Sequence, residues 1–178
     1  LLTGALHEDA LADCADAFRA GRKPERILEI LKDSRIGVFG AVALLLAMLL
    51  RWSSLPAIGG GPGHFLLAVA AAHGVGRCAM VLLAWIAPPA GHGLGAAFQA
   101  SLTRGGVVAA ALQMAALALA CGWKAALVML TGAALVTLSA RRYFVRRIGG
   151  VTGDCLGATG YLVESFILGM FTCRNCTW

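Results

Sequence analysis

From Ser34 to Gly153 the chain runs through 120 residues without one carboxylate. Seven of its nine acids precede that stretch, between Glu8 and Asp33, and the other two, Asp154 and Glu164, follow it. A water-soluble domain spreads charge over its surface, so this layout does not suit one. It suits a membrane protein that keeps its carboxylates where water, a metal ion or a substrate can reach them. Composition agrees: 13% of residues are charged and 59% are hydrophobic, against about 25% charged in soluble domains.

Five apolar stretches, near residues 38–55, 64–87, 106–121, 125–140 and 155–173, approach the roughly 20 residues that cross a bilayer core. The expected fold class is therefore all-α, a polytopic helical membrane protein of about five apolar segments with an acidic helical hairpin before them. The third and fourth stretches are short and joined only by Cys121-Gly122-Trp123-Lys124, which suits a tight hairpin that does not fully cross. The chain opens without an initiator Met or a cleavable signal peptide, and is expected to be truncated at its N-terminus.

A net charge of +6 would suit nucleic acid, but the placement of the basic residues argues against such a partner. Arg19, Arg22, Lys23, Arg26, Lys32 and Arg35 precede the first apolar stretch, and Arg141, Arg142, Arg146 and Arg147 follow the fourth. An even number of crossings puts both clusters on one side, with Arg104, and the positive-inside rule makes that side cytoplasmic. Arg51 and Lys124 are left at the opposite ends. The cysteines are too scattered for a disulfide framework, and Cys173-Arg174-Asn175-Cys176 has metal-like spacing but no second ligand pair.

Residues 6–20 are good helix formers with no Pro or Gly. On a helix, Asp9, Asp13 and Asp16 fall within roughly 60° of one another. Such like charges repel. A solvated face with basic neighbours is one answer; a hard divalent cation held by a few carboxylates and substrate phosphates is the other, and the one expected here. Glu8 lies about 100° and His7 about 160° from the stripe, so His7 is outside the same ion's reach in regular helix geometry.

Pro24 sits where a second helix starts, since its missing N–H costs nothing there. Lys32-Asp33-Ser34-Arg35 closes that helix. Lys32 and Arg35 suit phosphate oxygens, one as a point charge and the other as a planar fork. Asp33 between them is a candidate further ligand or a base toward an attacking hydroxyl. Two glycine-rich stretches, His92-Gly93-Leu94-Gly95 and Gly149-Gly150-Val151-Thr152-Gly153-Asp154, share the same side in this topology. Glycines let backbone N–H groups approach a phosphate. Asp154, the first acid after the long gap, reads equally as an N-cap and as a site residue. His73 and Arg77, four apart at membrane depth, should face a cavity or a partner rather than lipid.

These residues resemble a known family. Leu6 to Ala17 (LHEDALADCADA) looks like the H-x-D-G-L-A-D-x-x-D-G signature of cobalamin synthase, the adenosylcobinamide-GDP ribazoletransferase family. Arg26 to Gly40 (RILEILKDSRIGVFG) matches its R-x-L-E-I-M-[KR]-D-S-R-x-G-x-x-G, and Gly93-Leu94-Gly95 its G-L-G loop. Residues 149–158 (GGVTGDCLGA) match its G-G-x-T-G-D-x-L-G-A element, with Glu164 at the later acid. Three departures stand out: Ala10 and Ala17 replace glycines, Pro88-Pro89-Ala90 replaces a region with Tyr and Arg, and the family's N-terminal part is missing.

The resemblance implies a multi-pass enzyme of the bacterial inner membrane acting late in vitamin B12 synthesis. It would join adenosylcobinamide-GDP to α-ribazole, or its 5′-phosphate, release GMP, and use Mg²⁺. On this reading residues 1–37 carry the metal site at the cytoplasmic face and residues 38–178 form the transmembrane bundle. Asp9, Asp13 and Asp16 hold the metal, Asp13 and Asp33 are the catalytic candidates, and Lys32, Arg35, Arg77 and Asp154 face the phosphates. Membrane lipid is an expected partner, and a homo-oligomer stays open. The rivals are a CDP-alcohol phosphotransferase, whose second pair of aspartates is missing here, and a divalent-cation carrier, which would place acids inside its crossing helices.

Overall fold

The computed structural model describes residues 5–173, and among these it is helical with no strand. Eight helices follow in order: α1 Leu6–Ala20, α2 Pro24–Ile30, α3 Val38–Ala57, α4 Gly61–Ile86, α5 Leu94–Ser101, α6 Arg104–Ala120, α7 Trp123–Ile148 and α8 Gly153–Phe171. All five apolar stretches are helices. Three of them, α3, α4 and α7, are long and apolar enough to cross a membrane; α5 and α6, bent by 95° at a short break, add a fourth if taken as one span. The fourth stretch is longer than its apolar residues suggest, because α7 continues through Arg141–Arg147 before stopping at Gly149 in the left-handed region (φ 77°).

The fifth stretch has a different role. α8 is the centre of the bundle, touching α1, α3, α4, α5 and α7. Most of it is buried, including Thr159 and Glu164. Small residues allow that crowding, as they do where helices pack within membranes: a methyl group on Gly157 would lie 2.7 Å from Cβ of Ala10 on α1. Ala10 thus turns its methyl toward α8, and Ala17 is wholly buried.

α1 lies along α3 in the opposite direction. At one end Asp16 accepts hydrogen bonds from the backbone N–H groups of Gly37 (2.7 Å) and Gly40 (2.9 Å), at the start of α3. At the other end Glu8 pairs with Arg51, 3.1 Å away. Gly37 and Arg51 are separated by about 21 Å of helix rise, so α1 follows α3 for much of its length. Arg51, expected toward the far end of its segment, lies in the second half of α3 and turns its side chain into the bundle. The only charge on a helix most of whose large side chains face outward, it finds its carboxylate partners inside.

The end of α7 meets the end of α1, so the two arginine clusters share one end of the bundle, as parity required. Arg141 donates to the carbonyl of Ile86 (2.9 Å), and Arg147 donates to those of Phe18 (3.2 Å) and Gly21 (2.9 Å). Each thereby satisfies carbonyls that a helix end leaves unpaired. Cys14, Cys78, Cys121 and Cys155 are free and buried, while Cys173 is disulfide-bonded. Arg174, Asn175 and Cys176 of the metal-like spacing lie outside the described residues.

Candidate active site

The two glycine-rich loops are joined backbone to backbone. Ala90 donates its N–H to the carbonyl of Val151 and Val151 donates to that of Pro88, both at 2.9 Å, forming an isolated parallel bridge. Pro88 and Pro89 suit this strand-like position because the bridge needs no N–H from either. Farther along, Gly95 meets Gly153 so closely that a methyl on Gly95 would sit 2.4 Å from the Gly153 nitrogen. Glycine is needed there because the neighbour is backbone and has no rotamer to yield.

A cleft of about 230 Å³ opens beside this junction. Lys32, His92, Gly93, Gly95, Thr152 and Asp154 are among its lining residues, so pieces far apart in the sequence share one wall. Thr152 caps α8, accepting from the N–H of Cys155 (3.4 Å), and its hydroxyl donates to Asp154 (3.3 Å).

Asp154 is close enough to the acidic stripe for its charge to act on it. Burial, followed by the charges of Asp9, Asp154 and Asp16, pushes the Asp13 carboxyl up to about 6 from its ordinary 3.8. Asp154 is raised as well, by burial first and by Asp9, with the Thr152 hydroxyl opposing. Among the described residues, no ion pair involves Asp9, Asp13 or Asp154. Three carboxylates held together without a cation are what a hard metal ion relieves, so the donor chemistry fits Mg²⁺. No group of three side-chain ligands among the described residues is already gathered around a point. Mg²⁺ does not require one, because it is commonly held by one or two carboxylates with substrate phosphates and water.

The other expected site residues are dispersed. Asp16 is buried and spends both oxygens on the start of α3. Asp33 and Arg35 hold each other through a forked, exposed pair with contacts of 2.7–3.2 Å. That pair keeps the Asp33 carboxyl down at about 2. Neither residue lines the cleft.

Arg77 belongs to a second polar cluster, around a cavity of about 50 Å³ with His7, Glu8, Arg51, His73, Tyr161 and Glu164. Arg51 pairs there with Glu8 and with Glu164, and Nε2 of His73 lies 3.3 Å from Glu164. Burial and the charge of Arg77 push the His7 imidazole down. The sequence reading missed this cluster as a unit. Its signal was available: Glu164 and Arg51 are both charges inside apolar stretches and need each other there.

The cobalamin-5-phosphate synthase sequence profile matches residues 1–172. An adenosylcobinamide-GDP ribazoletransferase of Bradyrhizobium diazoefficiens is 45% identical over 175 residues, covering 96% of this chain and 67% of its own length. Proteins of the same name from Ralstonia pickettii (42% identical, 94% of this chain and 66% of their length) and Rhizobium meliloti (44%, 95% and 68%) are similar. The chain thus spans about two thirds of the length of these curated relatives. No solved structure matches.

Proposed function

Because the chain belongs to the cobalamin-5-phosphate synthase family, we propose that it is the transferase that joins adenosylcobinamide-GDP to α-ribazole or its 5′-phosphate, in the bacterial inner membrane. The observation that carries this reading is the shared cleft, where Lys32, both glycine loops and Asp154 come together beside Asp9 and Asp13.

A ribose hydroxyl of the acceptor attacks the phosphorus bonded to the cobinamide arm. A bond forms from that oxygen to phosphorus, and the bond from phosphorus to the bridging oxygen breaks. GMP departs with the electron pair. Lys32 supplies a fixed positive charge to the diphosphate, and the N–H groups of the glycine loops line its path. Asp154, on the cleft wall and raised in pKa, takes the hydroxyl proton.

Asp9 and Asp13, one turn apart on α1, would hold Mg²⁺ together with phosphate oxygens. When bound, the ion offsets the negative charge that builds on the phosphoryl oxygens. Asp16 supports this pair from behind by holding α1 to α3. Asp33, held at about 2 by Arg35, is a much weaker proton acceptor than Asp154, and the pair's exposure suits a role at the mouth of the site. The apolar outer faces of α3, α4 and α7 would seat the enzyme in lipid and let the bulky corrinoid approach along the membrane surface.

The test is turnover by the purified full-length protein in detergent or liposomes, with adenosylcobinamide-GDP, α-ribazole and Mg²⁺, read as GMP release. The expected result is product that EDTA abolishes and added Mg²⁺ restores. A folded protein that releases no GMP would overturn the reading, and CDP-alcohol substrates would then be tried.

A further inference from the structure

α1 and α8 meet through small side chains such as Ala10 and Gly157. Such faces permit close approach, and the roll and slide of one helix on the other set which of their side chains face each other. The site described above depends on that register, since Asp9 and Asp13 are on α1 and Asp154 is on α8.

One side chain spans the two helices. The guanidinium of Arg51, on α3, pairs through Nη1 with Glu8 of α1 at 3.1 Å and through Nη2 with Glu164 of α8. It also lies 4.6 Å from the ring centroid of Tyr161, one turn before Glu164 on α8. Glu164 is buried, at 3% exposure, so it cannot turn to water for a partner. Arginine suits this junction because its planar fork serves two acceptors at once, whereas the lysine ammonium is a point charge on a flexible stem. Along α1 the Glu8 tie is eight residues, or about 12 Å, from the Asp16 tie. Asp9 and Asp13 lie between the two.

We propose that Arg51 is a positioning residue for the transferase site: by holding Glu8 and Glu164 together it sets the register of α1 on α8 and keeps Asp9 and Asp13 facing Asp154. It touches neither substrate nor metal. The inference rests on the functional reading above for what the register serves, but the register itself has its own readout. Cys14 of α1 and Cys155 of α8 are both free and buried, and their thiols are near enough to act on each other, so the rate at which an oxidant joins them reports the contact between the helices.

The experiment compares the parent protein, Arg51→Met, and the charge-neutral triple variant Glu8→Gln/Arg51→Met/Glu164→Gln. The other cysteines are replaced by alanine, and each protein is purified in detergent. Three quantities are read: the rate of copper-catalysed Cys14–Cys155 crosslinking, the Mn²⁺ dissociation constant by electron paramagnetic resonance, and the thermal midpoint. Removing unpaired buried charge should return the triple variant toward the parent's midpoint. Both variants should nevertheless crosslink several-fold more slowly and bind Mn²⁺ about tenfold or more weakly, the loss typical of removing a group that supports metal ligands. If Arg51→Met does not fold, the triple variant decides alone. A triple variant with parental crosslinking and parental Mn²⁺ affinity would reduce Arg51 to charge compensation and overturn the proposal, as would a parent whose two thiols do not join. Slow crosslinking in the variants of a protein that binds no Mn²⁺ would uphold the positioning role and remove the metal reading instead.

Discussion

A methyl group on Gly40 would lie 2.3 Å from Oδ2 of Asp16. The carboxylate thus occupies the side-chain space of the residue whose N–H it receives, and the pairing of these two positions follows from one contact. Gly40→Ala must push the cap away, at a cost of about 1–3 kcal/mol for an overpacked buried site. Asp16→Asn keeps only one good acceptor and should cost about 1–2 kcal/mol, as lost N-caps do. Thermal or denaturant unfolding in detergent measures both; parental stability in either variant would mean that the cap does not hold α1.

The acidic stripe makes stability depend on pH and on metal. Because the Asp13 carboxyl is raised to about 6 from 3.8, the folded state holds that proton more tightly than the unfolded chain does. Metal-free protein should therefore lose stability as pH rises from about 4 to about 6, with the loss complete above that range. Mg²⁺ competes with the proton, so its stabilising shift in thermal midpoint should be larger at pH 7 than at pH 5. Asp13→Asn should abolish both the slope and the shift; an unchanged Mg²⁺ shift in that variant would place the ion elsewhere.

Turnover separates the aspartates. Asp13→Asn and Asp154→Asn should each lower GMP release about 100-fold or more, in the range for losing a metal ligand or a proton acceptor. Asp33→Asn, outside the cleft, should lower it by less than about tenfold. Circular dichroism in detergent checks that the variants fold. Equal losses at Asp33 and Asp154 would return the base to Asp33.

The loop junction gives a prediction that needs no charge. Gly95→Ala places a methyl 2.4 Å from the Gly153 backbone nitrogen, and nothing there can rotate aside. The glycine loop must shift away from the start of α8, which should raise KM for the GDP substrate more than it lowers the thermal midpoint. Initial-rate kinetics on Gly95→Ala reads the effect.

The helices were legible in the chain because their signals are local. Pro24 marked the start of α2, the residues from Leu6 to Ala20 gave α1 to its ends, and the 120 residues without acid marked the apolar bundle. Asp154 and Lys32 could be singled out by type, and the structure brings both to one cleft. The role of Asp16 was not legible. Its periodicity with Asp9 and Asp13 is real, but which oxygen meets which N–H depends on a helix whose N-cap comes twenty-one residues later. The partners of Arg51 were not legible for a related reason. Counting crossings assigns a residue to an end of a segment, whereas its neighbours are fixed by how α1 folds back along α3.

The dependence of α1 on α8 also sets an order of events. Proteins are made from the N-terminus, so the acidic helix leaves the ribosome well before its principal partner, which comes more than 130 residues later. Until α8 is inserted, Glu8 lacks the shared clasp and Asp13 has no Asp154 opposite it. The proposed site is therefore incomplete until α8 has been made. A nascent chain stalled between residues 149 and 163 would carry α3, α4 and α7 but not Glu164.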